Sequence, residues 1–216
     1  MILALRSASV ALLVLLGTPA GAWEPQTALE AERAFAADAQ AIGQWAAFRK
    51  WASVDATLFV PQPVQALDWL RDRPEPVKAV AWWPTASWTS CDGWIAVNTG
   101  GWRRPDGSVG YFTTVWQRQG DDSWQWRIDH GDRLTRPRAT PLRPVARRAA
   151  CAAQPGGAIS GFRDVGRHAD ASVSADGTLR WRYKVEPNGA RQLLVELWNG
   201  RRYDAVIDDR VGAPAP

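Results

Sequence analysis

The chain has 216 residues and a formal net charge of +4, from 26 Lys and Arg against 22 Asp and Glu, a balance that excludes a nucleic-acid binder. It has two histidines and two cysteines and neither Cys-x-x-Cys nor His-x-x-x-His spacing, so neither a metal site nor any other cofactor is expected. No P-loop, Gly-x-Gly-x-x-Gly run or Ser-His-Asp order of a hydrolase is present.

The chain opens with MILALRSASVALLVLLGTPAGAW. A lone cation, Arg6, precedes an apolar run from Ala8 to Leu16, and Ala20-Gly21-Ala22 supplies small residues for cleavage. This predicts a secretory signal peptide over residues 1–22, cut after Ala22. The run is about half the roughly twenty residues of a membrane span, so no stable membrane anchor is expected. Loss of Arg6 leaves 25 cations against 22 acids, a net charge of +3. The mature protein is expected in a periplasmic or secreted location, where Cys91 and Cys151 favour one disulfide. Closing that loop of about sixty residues contributes about 4 kcal/mol in the chain-entropy model.

A helix is predicted from Thr27 to Ile42, with Thr27 and Glu30 as a capping box. Leu29, Ala34, Phe35, Ala37, Ala41 and Ile42 form its apolar face, and Glu30, Glu32, Arg33, Asp38 and Gln40 its polar one. After Gly43 a shorter helix runs from Gln44 to about Ser53, then an extended run from Ala56 to Val60 and a helical turn or two between Pro63 and Leu70.

Ala79 to Asp132 holds more than half of the fourteen tryptophans and divides at turn signals into four extended runs. The first, Val77 to Ser90, contains Pro84, which forces an edge or a bulge there. Asp92-Gly93 and Asp106-Gly107 are hairpin signals bracketing Trp94 to Trp102, and Gly110 to Gln117 follows. In the fourth run, Trp124 to Asp129, alternation sets Trp124, Trp126 and Ile128 on one face and Gln125, Arg127 and Asp129 on the other. Between Arg133 and Arg148 lie six arginines, three prolines and no carboxylate, the composition of a solvated linker. Turns at Asp176-Gly177, Asn188-Gly189 and Asn199-Gly200 then divide a four-stranded meander. Leu193, Val195 and Leu197 belong to its apolar face, which must pack on the first domain. The expected organisation is a signal over 1–22, an α+β domain over 23–132, a linker over 133–160, the meander over 161–210 and a disordered tail over 211–216.

ALEAERAFAADAQAIGQWAAFRKWASVDATLFVP, SCDGWIAVNTGGW, GYFTTVWQRQGDDSW and WQWRIDHGD give Glu30 to Asp132, about half of the chain, a resemblance. It resembles the nuclear-transport-factor-2-like superfamily, in its SnoaL-like and ketosteroid-isomerase-like branch. The resemblance implies an α+β cone, in which helices close a pocket wrapped by one curved antiparallel sheet. It also implies an Asp or His as proton-transfer base, which points to Asp129 and His130 at the end of the fourth run. Asp38 is a further candidate base, and the Tyr and second acid of the isomerase branch match no position in this chain.

Trp45, Trp94, Asn98, Tyr111 and Trp126 are the expected pocket wall. The leading expectation is a secreted or periplasmic protein binding a small, partly apolar ligand. The alternatives are an isomerase- or dehydratase-like enzyme using a pocket Asp or His, and an envelope protein whose meander makes the contact. The sequence leaves the oligomeric state open.

Overall fold

A computed structural model describes residues 25–152, 155 and 169–214. The expected signal peptide, its cleavage site, His168 and most of the glycine-rich stretch lie outside the described residues.

Helix α1, Ala28–Ala41, starts where Thr27 accepts the Glu30 N–H at 3.2 Å while the Glu30 carboxylate accepts the Thr27 N–H at 3.1 Å. That capping box satisfies two backbone donors the helix leaves unpaired. Helix α2, Gln44–Trp51, follows Gly43, whose φ of 106° suits a residue without a Cβ. Glu75 caps α2 from a distance, accepting the N–H groups of Trp45 and Ala46 at 2.8 and 2.7 Å. Strands β1, Ala52–Phe59, and β2, Pro63–Gln65, lead to the short helix α3, Ala66–Leu70.

Strands β3, Ala81–Thr89, β4, Ile95–Arg103, β5, Val109–Arg118, and β6, Trp124–Leu134, form an antiparallel meander. Strand β7, Val145–Arg148, lies within the stretch expected to be linker. It joins β3 in parallel, and β1 joins β6 in parallel, giving a seven-stranded mixed sheet of order β2-β1-β6-β5-β4-β3-β7. Strands β8, Ala169–Val173, β9, Leu179–Val185, β10, Arg191–Trp198, and β11, Tyr203–Val211, form a separate antiparallel sheet.

This overturns the α+β cone. Strands hold 47 % of the described residues and helices 15 %, so the described chain is mostly β, with two sheets and three short helices. The larger sheet is mixed rather than antiparallel, and both of its faces carry buried apolar clusters. Alternation along a strand records which face each side chain takes, but not which distant strand lies alongside. Both parallel neighbours join segments far apart in sequence.

Each face of the larger sheet carries its own core. On β4, Ala96 packs toward the helices, with Phe35, Trp116 and Trp126. Its neighbours Ile95 and Val97 pack toward the smaller sheet, with Val115, Ile128, Trp181, Leu193 and Val195. A register shift between Pro84 and Ala86 shows that Pro84 sits at a bulge, the second of the two expectations for that proline.

The two sheets are stitched at one end. Ser90 to Gly93 and Ser174 to Gly177 form matching turns, in which each Ser hydroxyl donates to the Asp two residues on, at 2.5 and 2.6 Å. The Asp92 N–H donates to the Asp176 carboxylate at 2.6 Å, and the Asp176 N–H donates back to Asp92 at 3.2 Å. Beside them Cys91 and Cys151 form a disulfide.

Candidate functional site

The site is set by one extra residue. On β6, Trp126 pairs with Trp116 and Ile128 with Val115, so Arg127 has no partner on β5. This bulge shifts the alternation by one. Trp126 faces the helices, Ile128 faces the smaller sheet, and Asp129 returns to the helical side, in register with Thr114 on β5 and Leu58 on β1. The expectation that Asp129 points away from Trp126 is corrected accordingly. Arg127 instead reaches out to ion pairs with Asp55 at 3.3 Å and Asp170 at 3.2 Å.

A cavity of about 500 Å³ opens where β6 runs on past the end of β1. Helices α2 and α3 contribute Trp45, Phe48 and Trp69, and the sheet contributes Trp82, Trp102 and Phe112. Two glycines let these rings lie close to the strands. A Cβ on Gly110 would stand 2.1 Å from Trp102 Cζ2, and one on Gly100 would stand 2.5 Å from Phe112 Cε1. The polar lining includes Gln44, Tyr111, Asp129, His130, Asp132 and Arg191.

Asp129 accepts a long hydrogen bond from the Thr114 hydroxyl, at 3.4 Å. Desolvation, reinforced by the charge of Glu32, pushes its carboxyl up to about 8. Glu32 was expected on the polar face of α1 and is instead fully buried. Its carboxylate accepts the indole N–H of Trp116 at 2.7 Å and of Trp82 at 2.9 Å, and the Asn98 amide at 3.3 Å. Burial still outweighs these donors and raises Glu32 to about 7. The spacing held a signal for it: Glu32 is four residues after Ala28 and three before Phe35, both buried, on one helical stripe. Carboxyls that titrate near neutrality can exchange protons with a bound molecule at little cost.

His130 takes the opposite face. It is 1 % exposed, stands edge-on to Phe59 at 4.9 Å between ring centres, and reaches the cavity past the end of β1. Nδ1 lies 3.8 Å from Asp209 Oδ2, and neither ring nitrogen has a hydrogen-bond partner. Asp209 accepts instead from Thr113, at 2.6 Å.

Asp129, His130, Trp45 and Tyr111 thus meet around one cavity. Trp94, Asn98, Trp126 and Asp38 do not line it. Trp94 follows the Asp92-Gly93 turn and is 43 % exposed. Asn98 is committed to Ala28 O at 2.7 Å and to Glu32. Trp126 is buried in the helix-side core, with its indole N–H on Phe48 O at 3.2 Å. Asp38 is held at 2.7 Å by both Lys50 and the Trp51 indole N–H. Trp69, Trp82 and Trp102 were not anticipated, because a tryptophan count does not separate rings that fill a core from rings that border a space.

Among the described residues no helix is long and apolar enough to cross a membrane, and no cluster of three or more His, Cys, Asp or Glu is placed to hold a metal ion. No protein-family model matches the chain, and no curated protein matches it. Nothing in these comparisons identifies the superfamily that the sequence resembles.

Proposed function

We propose that this is a periplasmic or secreted protein that binds a small, partly apolar molecule between its helices and its larger sheet. The observation that carries the reading is the cavity of about 500 Å³, walled mainly by aromatic rings with a few polar groups. Small-molecule sites commonly have this size and this mixture. The Cys91–Cys151 disulfide supports an oxidising compartment. Native mass spectrometry of protein purified from its own compartment should show a retained small molecule. The neutral probe N-phenyl-1-naphthylamine should bind the emptied protein, and Trp45→Ala should abolish that binding. An empty native protein that also ignores the probe sinks the reading.

A second reading makes the protein an enzyme of the isomerase or dehydratase sort. Its support is Asp129, a cavity carboxyl raised to about 8 and therefore able to give or take a proton near neutral pH. A ligand recovered from the protein and incubated in deuterated water should gain mass with the native chain and not with Asp129→Asn. Equal exchange with both proteins removes this reading. A partner-binding role for the meander gains less support, because Leu193, Val195 and Leu197 pack in the core between the sheets.

A further inference from the structure

The stripe of β10 that faces the larger sheet runs Arg191, Leu193, Val195, Leu197, all buried. Three members build the core between the sheets, and the fourth is an arginine. It stands where β1 has separated from β6, and its Nη2 donates to Gly131 O at 2.9 Å across the exposed edge of β6. Arg191 is 5 % exposed, its Nε has no hydrogen-bond partner, and among the described residues its guanidinium is in no ion pair with a carboxylate. Asp132 is near enough to act on it electrostatically without pairing. A buried cation lacking a counter-charge destabilises the fold. A leucine here would continue the apolar stripe.

The surroundings share this character. Arg104 and Arg133 are exposed at the same cavity, and neither is in a carboxylate ion pair among the described residues. The His130 nitrogens, also at the cavity, are buried without hydrogen bonds, with Nδ1 3.8 Å from Asp209 Oδ2. An arginine fork matches the paired oxygens of an acid group. The opposite wall, at Trp45, Phe48 and Trp69, is aromatic.

We infer that the cavity takes an amphipathic anion: an apolar aromatic or aliphatic body against the helix-side rings, and one carboxylate, sulfonate or phosphate group at Arg191, with Arg133 and Arg104 at the mouth. This rests on the reading that the cavity holds a small, partly apolar molecule, and it fixes the chemical class. Arg191 is a binding residue here, and its unpaired charge in the empty protein is answered by the ligand.

The test uses two probes with the same ring system, 1-anilinonaphthalene-8-sulfonate and neutral N-phenyl-1-naphthylamine. The native chain should bind the sulfonate on the order of tenfold more tightly, as expected for one charge-assisted contact. Arg191→Met should remove that preference and leave the neutral probe unaffected. Where Arg191→Met does not melt cooperatively, the exposed Arg133→Gln decides, with an expected loss of about threefold for the sulfonate alone. Displacement by decanoate and by decyl phosphate, with decanol as the neutral control, shows which acid group the site prefers. Equal affinity of the native chain for the two probes, a preference surviving Arg191→Met, or, where Arg133→Gln decides, an unchanged affinity for the sulfonate overturns the anion and leaves the cavity reading standing. Failure of both probes to bind overturns the cavity reading itself.

Discussion

The two faces of the larger sheet are built on different terms. Toward the smaller sheet lies a packed layer of Ile95, Val97, Val115, Ile128, Trp181, Leu193 and Val195. Toward the helices, buried apolar side chains share the space with Glu32, Asn98 and Thr114, all fully buried, and with the cavity beyond them. Polar groups cost stability when buried, and a void forfeits packing contacts. One face therefore holds the two sheets together, while the other gives up stability around a space. The cavity opens mainly on that second face and, past the end of β1, reaches Phe59, His130 and Arg191 on the first.

Four measurements break or sharpen this contrast. The largest effect is expected from the disulfide beside the core between the sheets. Cys91→Ser with Cys151→Ser should lower unfolding free energy by about 4 kcal/mol, measured by denaturant titration. Affinity for the neutral naphthylamine should stay within about twofold, since the cavity lies at the opposite end of the sheets from the disulfide. A comparable loss of binding would show that the two faces are one unit.

Next, Leu193→Ala should cost about 3 kcal/mol in the same titration and leave binding intact. Trp45→Ala, from the partly buried cavity wall, should cost less and abolish binding. Costs in the reverse order would end the distinction between a supporting face and a working face.

Stability should also fall as pH rises. Glu32 titrates near 7 when folded against 4.5 as a free side chain, and Asp129 near 8 against 3.8. Between those values the folded chain holds protons that the unfolded chain has released. The stabilisation is complete at the acid end of the window and is lost through pH 7 to 8. Glu32 alone accounts for on the order of 3 kcal/mol. Glu32→Gln should flatten that part of the profile, and its amide gives Asn98 Oδ1, which has no partner, a donor to accept from. Melting temperatures that rise from pH 5 to pH 8 would contradict the assignment. The smallest effect should come from Trp102→Phe, which trims the cavity wall and removes the indole N–H donor to Tyr111 O. It should cost about 1–2 kcal/mol and weaken probe binding severalfold, read by titration and fluorescence.

Residues whose chemistry acts locally were legible in the sequence. Thr27 with Glu30 specifies a helix start, and Asp92-Gly93 and Asp176-Gly177 specify tight turns, because the physics of each spans only a few residues. Pro84 signals an edge or a bulge, since proline cannot donate to a ladder, and the register shift shows the bulge. Arg127 carried no such mark: any residue can be the extra one in a bulge, so its effect on Asp129 could not be read from alternation. The parallel partners of β3 and β6 were hidden for a related reason, as neither β7 nor β1 bears a local sign of its distant neighbour. Arg191 stands two residues before Leu193, in step with Leu193, Val195 and Leu197, and an arginine at the end of such a stripe gives no local sign of being buried. Its place in that stripe shows only once β10 is seen to extend back to it.

The paired turns at Asp92 and Asp176 have a mechanical consequence. With the Cys91–Cys151 bond they clamp the two sheets at the end of β4 that begins with Ile95. The far end of β4, at Trp102 and Arg103, lies roughly 27 Å away by strand rise. Toward that end the connections between the two halves among the described residues include the Thr113 bond to Asp209, the Arg191 bond to Gly131 O and a Gln62 bond to Gly189 O at 3.2 Å. With one end clamped, any displacement of one sheet against the other is largest at the cavity end. The anion inferred at Arg191 would make its contact at that end, farthest from the clamp.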